Sequence, residues 1–467
     1  MATVRETHLV KALPTPQVAP KPSYDLNVLD STLAKFLIRP AYFFEAPKTP
    51  LSTDFWISSL SKTLSEYRFL TGTVIRHSPT RLVLCENERG CHVEFADLPN
   101  LTLKELRDKR FSPSVVPDVL YPTASLATAD ETWTSIELLR IRITVLGDGG
   151  IVLSPSMFHS FIKDWAAVAR GETIKPVTRD ASILKATAAT TSKPVEAPVE
   201  ANRFKPASAP VAAPAAAAPA LPAPPATPQV LENFYVSPAS MKSLKAYVCS
   251  LPLPDGPMQK AANQVSTSDC LSALVWWSVV QASNARARKS KTIFAYPVNM
   301  RTLQKPLVPM DYVGNAWLSM HERTAKFQID DLVGREDGIR MGACAIRQGI
   351  CELTEDYLRG FLEKNTVPIP DMSILGCFFT SWRGFGVYDT DFGFGKPVEF
   401  IPQHSKNPYV IVGYIRPMAP EHGGEAGAEF QLCLAPEEVE RLKNNPVFSR
   451  FAHWYHEDGT IGGRCNL

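Results

Sequence analysis

A histidine between two apolar segments is the residue in this chain best placed to do chemistry. His159 follows a buried-strand pattern at Ile151–Leu153 and precedes a helical pattern at Phe161–Arg170. An imidazole near its ordinary pKa of about 6.5 can take a proton from an alcohol or an amine while that group attacks an acyl carbon. The same pattern also fits a packed or surface histidine with no catalytic role.

A catalytic base must be oriented by its neighbours, and the helix after His159 carries one carboxylate, Asp164. At about 100° per residue, the apolar side chains of this helix form one stripe, which consists of Phe161, Ile162, Trp165, Ala166 and Ala169, with Val168 at its border. Lys163 and Asp164 fall on the opposite side. We therefore expect Asp164 to be solvated rather than paired with His159.

A second informative stretch combines a carboxylate with flexible backbone positions. It covers Phe378–Pro397 and reads F-F-T-S-W-R-G-F-G-V-Y-D-T-D-F-G-F-G-K-P. Asp391 is followed by Gly393 and Gly395, which can adopt backbone angles that other residues avoid. The stretch contains neither G-x-G-x-x-G nor G-K-[ST], so it is not a nucleotide-binding loop. It predicts a tight loop that Asp391 holds through a hydrogen bond or an ion pair.

Strands surround the histidine in the first half of the chain. A half-buried strand at Ile136–Val145, followed by a turn at Gly147–Gly150, predicts a hairpin that carries His159 beyond its far end. Arg81–Cys85 and Cys91–Phe95 predict another hairpin, with E-N-E-R-G as its turn.

Helices are predicted in both halves. Leu51–Tyr67 has one apolar side, and Ser237–Cys249 begins with a capping serine. Ser266 and Asp269 provide a cap for an apolar run that contains two tryptophans, and this run predicts a buried scaffold helix.

Length and composition divide the 467 residues into two folded halves joined by a linker. We expect an extended N-terminal arm at 1–23, an N-terminal domain at 24–185, an Ala/Pro-rich linker at 186–228 and a C-terminal domain at 229–467. Repeated proline favours an extended, solvated tether between the two domains.

Composition also argues against several classes of protein. A hydrophobic fraction of 45% and a charged fraction of 21% are typical of a globular protein, and a net charge of +2 gives no basic field for nucleic acid. The nine cysteines are scattered without a C-x-x-C pair, which argues against zinc and a disulfide framework. No apolar run is long enough to span a bilayer. We therefore expect a cytoplasmic protein with no metal site, no nucleic-acid partner and no membrane partner.

Four motifs in the second half resemble those of the BAHD-type acyl-CoA-dependent acyltransferases. They are Ser266-Thr267-x-Asp269 before a Trp-containing helix, Asn299-x-Arg301, Tyr312-x-Gly314-Asn315, and Asp391-Phe392-Gly393-Phe394-Gly395-Lys396-Pro397. The last motif is the specific one. The similarity runs from about Tyr24 to a C-terminal helix at Pro436–Trp454, and it is closest to the fungal branch that includes the trichothecene O-acetyltransferases.

The resemblance implies an α/β fold of two chloramphenicol-acetyltransferase-like domains, with mixed sheets and a channel between them. It implies that His159 is the general base for transfer of an acyl group, acetyl in the first instance, to a hydroxyl or amine of a secondary metabolite. Acyl-CoA is then a co-substrate, no cofactor is bound permanently, the acceptor is a small molecule, and a monomer is expected. Asp391, Gly393 and Gly395 are implied to shape the domain interface. Arg301 matches the arginine that pairs with the aspartate of the family's H-x-x-x-D-G motif.

The sequence differs from the family pattern directly after His159. The family continues from its histidine through x-x-x-D-G and a turn, whereas Ser160 runs directly into the next helix, so the aspartate and glycine of the motif are missing. Asp164 comes one residue too late to replace that aspartate. We expect Arg301 to lack its usual carboxylate, which is costly if the arginine is buried, and His159 to be drawn towards the helix.

Several interpretations of this departure remain open. The chain is an enzyme with rearranged support around His159, a catalytically inactive binding protein on the same fold, or a product of altered splicing or gene prediction. Another alignment places Phe158-His159-Ser160 just before the family's helix and leaves no catalytic histidine. A condensation-type enzyme that takes its acyl group from a carrier shares the fold and would require a carrier partner.

Overall fold

The computed structural model describes most of both halves of the chain. The described residues are 2–14, 23–33, 39–78, 81–122, 135–156, 159–177, 229–252, 258–283, 291–303, 308–321, 323–324, 327–364, 375–403, 411–456 and 460–463. The predicted linker at 186–228 lies outside the described residues.

The described chain contains both strands and helices, partly in runs of one kind. The strands are β1 Thr3–Val10, β2 Tyr24–Asp25, β3 Pro40–Phe44, β4 Thr73–Ser78, β5 Arg81–Cys85, β6 Cys91–Leu98, β7 Ser135–Glu137, β8 Arg140–Leu146, β9 Ile151–Pro155, β10 Val230–Val236, β11 Thr292–Asn299, β12 Trp317–Met320, β13 Leu375–Ser381, β14 Glu399–Pro402, β15 Ile411–Arg416, β16 Ala428–Leu434, β17 Trp454–Tyr455 and β18 Ile461–Gly462. The α-helices are α1 Val28–Leu33, α2 Thr53–Glu66, α3 Leu103–Asp108, α4 His159–Ala169, α5 Pro238–Ser250, α6 Gln259–Ala262, α7 Thr267–Ala282, α8 Ile329–Val333, α9 Gly338–Glu352, α10 Glu355–Lys364, α11 Pro436–Lys443 and α12 Phe448–Phe451.

Each half of the chain is built on a six-stranded sheet. The N-terminal sheet has the order β1-β6-β8-β9-β3-β14, and the C-terminal sheet has the order β10-β16-β15-β13-β11-β12. Both sheets are mixed: β6 pairs parallel with β8, and β13 pairs parallel with β11 and β15, while the other ladders in these sheets are antiparallel. A smaller sheet, β2-β5-β4-β7, belongs to the N-terminal half. These mixed sheets with packed helices confirm the predicted α/β fold class.

Helices cover the sheets through apolar faces that the sequence predicts. Helices α2 and α4 contribute Trp56, Leu60 and Trp165 to the core of the N-terminal half. Helix α7 is buried almost all round, which is the pattern of a helix enclosed by other elements. Its Ser266 and Asp269 form the predicted capping box, because each side chain accepts a hydrogen bond from the other residue's backbone N–H.

The two halves exchange segments. Strand β14 belongs to the second half of the sequence, yet it pairs with β3 at the edge of the N-terminal sheet. In the opposite direction, Leu29 of α1 is buried in the core of the C-terminal half. Each predicted domain therefore contributes a segment to the other.

Three local predictions are corrected by the structure. The predicted arm at 1–23 contains strand β1, whose residues pair with β6 and extend the N-terminal sheet. The predicted hairpin of Arg81–Cys85 with Cys91–Phe95 is wrong, because β5 pairs with β2 and β4 whereas β6 pairs with β1 and β8. The single strand predicted at Ile136–Val145 is divided into β7 and β8, which lie in different sheets.

The hairpin before His159 is confirmed. Strands β8 and β9 pair antiparallel from Ile141 with Pro155 to Val145 with Ile151. Gly149 in the turn has φ of 85°, a backbone angle that favours glycine.

None of the helices among the described residues has the length and apolar character needed to cross a membrane.

Candidate active site

His159 is the first residue of helix α4, directly beyond the hairpin. Phe161, Ile162 and Trp165 of this helix are fully buried, as the apolar stripe predicts. Their packing fixes the helix against the N-terminal sheet and holds the half-buried imidazole at its N-terminal end.

Tyr42 of strand β3 holds one nitrogen of this imidazole. The hydroxyl of Tyr42 and Nδ1 of His159 are 3.1 Å apart and share a hydrogen bond. The two rings are nearly parallel, with an interplanar angle of 22°. Nε2 of His159 is buried and forms no hydrogen bond of normal length and angle with a described residue, although the backbone of Gly386 is near enough to the ring to raise its pKa.

The surroundings keep the imidazole neutral. Burial, followed by the charge of Lys163, lowers the pKa of His159, which is about 4 in the folded protein. Asp389 and the backbone of Gly386 act in the opposite direction but do not outweigh burial. At neutral pH the ring therefore carries a lone pair on one nitrogen.

The segment Trp382–Asp389 brings the C-terminal half close to His159. Its Trp382 backbone N–H donates to the carbonyl oxygen of Ile415, which fixes the segment to strand β15. Gly386 has φ of 67°, and a Cβ atom there would stand 3.2 Å from Oδ2 of Asp389. The positive φ and this short distance to Asp389 both favour glycine at position 386.

Asp391 folds the following residues into the predicted tight loop. Its Oδ1 accepts hydrogen bonds from the backbone N–H groups of Gly393 at 2.7 Å and Gly395 at 3.0 Å. The two glycines have φ of 97° and 127°, which explains why glycine is required at both positions. The carbonyl oxygen of Asp391 accepts a hydrogen bond from Arg170, the residue after helix α4.

The same loop inserts aromatic rings into the N-terminal half. Phe392 is 1% exposed, and its ring centroid lies 5.1 Å from that of Trp56 and 5.2 Å from that of Trp165. Phe394 lies 5.3 Å from Phe44 in the same way. The loop therefore docks onto the core that supports helix α4.

Among the described residues, the hydrogen-bond partners of Arg301 include neither His159 nor Asp391. Its guanidinium donates to the carbonyl oxygens of Tyr312 and Gly314, each at 2.7 Å. Burial lowers the pKa of Arg301, while Tyr312 and the carboxylate of Asp30 raise it. Asp30 itself accepts hydrogen bonds from the backbone and side chain of Asn315. Backbone carbonyls thus take the place of a direct carboxylate partner.

The expectation that Asp164 is solvated is wrong. The hydroxyl of Tyr67 donates to Oδ2 of Asp164 at 2.6 Å, and the carboxylate is half-buried. Tyr67 follows helix α2, and a helical wheel of α4 alone contains no information about that neighbour. Asp164 forms no hydrogen bond or ion pair with His159 in the described residues, as expected.

A basic groove lies in the C-terminal half beside the Trp382–Asp389 segment. It has a volume of about 540 Å³ and is lined by Lys242, Lys245 and Arg383. Pro238 and Thr267, the first residues of helices α5 and α7, also line it. Helix N-termini carry partial positive charge, so the groove is suited to an anion. Neither lysine forms an ion pair with a described residue.

A buried cluster of charges joins the two sheets behind the site. Arg416 of β15 donates to Glu399 of β14 at 2.6 Å and also to Glu429 of β16, and all three residues are at most 5% exposed. The hydroxyl of Tyr388 donates to Glu399 at 2.9 Å. Burial and the charge of Glu399 raise the pKa of Glu429, Arg416 lowers it, and the net result is a pKa of about 8. One cation thus faces two buried carboxyl groups.

Sequence reasoning missed several of these groups. Nothing in the pattern A-Y-F-F marks Tyr42 as a partner of His159. The groove lysines lie on a helix for which the sequence predicts only a capping serine. Arg383 and Gly386 lie within Phe378–Pro397, and their position just before the D-F-G-F-G motif was the one sequence feature that could have indicated them. Among the described residues, no group of three or more His, Cys, Asp and Glu side chains could hold a metal ion.

Two mixed sheets that exchange segments, with a half-buried histidine on a helix that packs against a D-F-G-F-G loop, define the architecture of an acyl-CoA-dependent acyltransferase. The model of the Transferase family, the BAHD acyltransferases, matches residues 1–448, and the chain belongs to this family. It is accordingly an enzyme of the acyl-transferring kind.

Similar proteins come from plants and fungi. Hydroxycinnamoyltransferase 1 of Oryza sativa subsp. japonica is 24% identical over 470 residues, which cover 94% of this chain and 98% of that protein. O-acetyltransferase cpsE of Aspergillus campestris is 25% identical over 215 residues, which cover 42% of this chain and 43% of that protein. These relatives do not distinguish the fungal branch from the rest of the family.

Solved structures share the fold. TRI101 of F. sporotrichioides in complex with Coenzyme A and T-2 has a TM-score of 0.68 and 17% identity, with coverage of 92% of this chain and 99% of that chain. Vinorine synthase has a TM-score of 0.61 and 19% identity, with coverage of 94% and 96%.

Proposed function

We propose that this enzyme transfers an acyl group, acetyl in the first instance, from CoA to a hydroxyl or amine of a secondary metabolite, with His159 as the general base. The observation that carries the proposal is the state of the imidazole. Nδ1 is held by Tyr42, while Nε2 is buried, without a hydrogen bond of normal length and angle to a described residue, next to the Trp382–Asp389 segment. A neutral nitrogen in such a position can accept a proton from a bound acceptor.

The reaction then follows in two steps without an acyl-enzyme. The acceptor's oxygen or nitrogen attacks the thioester carbonyl carbon as its proton passes to Nε2 of His159. The tetrahedral intermediate collapses, the carbon–sulfur bond breaks, and the CoA sulfur leaves as a thiolate that takes the proton from the imidazolium. The low pKa of His159 supports the second step, because a weakly basic imidazole returns its proton readily.

We assign the phosphate groups of CoA to the basic groove. Lys242, Lys245 and Arg383 supply three cationic side chains, and the starts of two helices add backbone dipoles. Arg383 also belongs to the segment whose Gly386 and Asp389 act on His159. A bound acyl-CoA can therefore have its phosphates in the groove and its thioester near the imidazole.

The acyl group and acceptor are proposed from the relatives. Hydroxycinnamoyl transfer and O-acetylation both occur in the names of similar proteins. The fungal-type acetyl transfer to a hydroxylated metabolite is our first choice, and hydroxycinnamoyl transfer to a hydroxyl or amine is the second. A cytoplasmic, monomeric enzyme is part of the proposal, and sedimentation of the purified protein tests its monomeric state.

The test measures release of free CoA thiol from acetyl-CoA and from a hydroxycinnamoyl-CoA, across a panel of hydroxylated and amine acceptors. His159→Ala is expected to lose at least about 100-fold of kcat, because general-base catalysis contributes about 10²–10⁴-fold. Lys242→Gln and Lys245→Gln are expected to raise KM for acyl-CoA with little change in kcat. Lys260→Gln, an exposed position on helix α6 that does not line the groove, is the matched control.

Each outcome separates the alternatives. Full activity in His159→Ala would refute the assigned base. Binding of acyl-CoA without turnover by any panel member would favour the inactive binding protein. If restoring an H-x-x-x-D-G loop then created activity, the shortened segment after His159 would be the cause of the inactivity. An unchanged KM for acyl-CoA in both lysine variants would refute binding of the CoA phosphates in the groove, but it would not affect the assignment of His159 as the base.

A further inference from the structure

We infer that Tyr42 is the positioning residue of this site: it holds His159 through Nδ1 so that Nε2 faces the reacting groups. The inference rests on the proposed function, because it assigns a partner to the proposed base. It addresses the missing part of the H-x-x-x-D-G motif, since the support for His159 comes from a neighbouring strand and not from the segment that follows the histidine.

The position of Tyr42 is fixed by the sheet. Strand β3 lies between β9 and β14, and Tyr42 is paired with Leu153 on one side and Phe400 on the other. Tyr42 has no exposed surface, and its ring contacts that of Phe400 edge-on with centroids 4.8 Å apart. The packing of the ring therefore fixes the direction of the Tyr42 hydroxyl, which forms its hydrogen bond with Nδ1 of His159 at the start of helix α4.

A phenol suits this role because it stays neutral. Burial raises the pKa of Tyr42 far above its ordinary value, so the hydroxyl does not ionise in the working pH range. With Nε2 unprotonated, the proton of the neutral ring is on Nδ1, and Nδ1–H donates to the Tyr42 oxygen. After Nε2 accepts the acceptor's proton, the same Nδ1–H bond persists. One contact thus orients the ring in both protonation states of the cycle.

The chain contains a matched control for this contact. Tyr67 is also a buried tyrosine, and its hydroxyl also binds a residue of helix α4, but that residue is Asp164. Tyr42→Phe and Tyr67→Phe each delete one hydroxyl and keep every packed carbon, so both variants are expected to fold. Any effect that comes only from loosening helix α4 should occur in both variants.

The experiment compares kcat, KM for acetyl-CoA and the pH dependence of kcat/KM in the wild type, Tyr42→Phe, Tyr67→Phe and His159→Ala. Tyr42→Phe is expected to lower kcat by about 10- to 100-fold with KM within about twofold, because the base loses its orientation. Its acid limb is expected to move to lower pH, because the positively charged imidazole donates a stronger hydrogen bond to Tyr42 than the neutral ring does, and the variant lacks that bond. Tyr67→Phe is expected to keep both the wild-type kcat and the wild-type limb.

The outcomes distinguish this inference from the proposed function. Wild-type kcat and an unmoved limb in Tyr42→Phe, with an inactive His159→Ala, would overturn the role of Tyr42 and leave the base intact. Equal losses in the two tyrosine variants would reduce Tyr42 to a structural residue and also overturn the inference. Activity in His159→Ala would refute the proposed base itself.

Discussion

Replacing Glu429 with glutamine is expected to make the folding stability of this protein less dependent on pH. Glu429 shares Arg416 with Glu399, and the three groups are buried between the two sheets. One cation can neutralise one carboxylate, so the second carboxyl group is held in its protonated form. Burial accordingly raises the pKa of Glu429 from 4.5 to about 8.

The sign of the effect follows from proton uptake. Between pH 4.5 and about 8 the folded protein holds a proton on Glu429 that the unfolded chain has released. The contribution of Glu429 to the free energy of unfolding is therefore fully present below the pKa of the unfolded chain, and it is lost as the pH rises through the pKa of the folded protein. The slope is at most about 1.4 kcal/mol per pH unit, and the total over the window is at most about 5 kcal/mol.

Urea unfolding at a series of pH values from 5 to 9 measures this dependence. Glu429→Gln cannot titrate, so its stability relative to the wild type should rise with pH across the window. Glu421→Gln is the matched control, because Glu421 and Glu429 line one small cavity, yet Glu421 is exposed. Parallel stability curves for Glu429→Gln and the wild type would refute the reasoning, since they would mean that Glu429 does not hold the proton.

Three further predictions concern other parts of the molecule. Arg301→Met is expected to cost about 1–3 kcal/mol of unfolding free energy, because the carbonyls of Tyr312 and Gly314 lose their donor, and a loss below about 0.5 kcal/mol would count against that role. Ser266→Ala should cost about 1 kcal/mol through loss of the α7 cap, whereas Ser266→Thr should not. With His159 as base, kcat/KM should fall at acid pH with an apparent pKa near 4, and an apparent pKa near 6.5 would refute the depressed pKa of this histidine in the free enzyme.

Local chemistry made some elements predictable from sequence. The capping pair at Ser266 and Asp269, followed by an apolar run, specifies helix α7 without reference to the rest of the fold. The turn at Gly147–Gly150 specifies the β8–β9 hairpin in the same way, because its backbone angles and its flanking strands lie within one short segment.

Other features depend on contacts that local patterns do not contain. The segment E-N-E-R-G looks like a hairpin turn, yet the N–H of Gly90 donates to the carbonyl oxygen of Thr71 and the chain passes from one sheet to another. Tyr42 and His159 are separated by 117 positions, and their contact arises from the pairing of β3 with β9. Strand pairing between distant segments is set by tertiary packing, which single-sequence periodicity cannot resolve.

Strand β14 has a consequence for how the chain is made. The N-terminal sheet receives its last strand from Glu399–Pro402, so this sheet stays incomplete during synthesis until most of the chain has left the ribosome. Until then β3 presents an unpaired edge that can bind other strands. Early termination before residue 399 would therefore leave a nascent chain prone to aggregate, even though nearly every other residue of its first half is present. The N-terminal half expressed alone would likewise leave the edge of β3 unpaired.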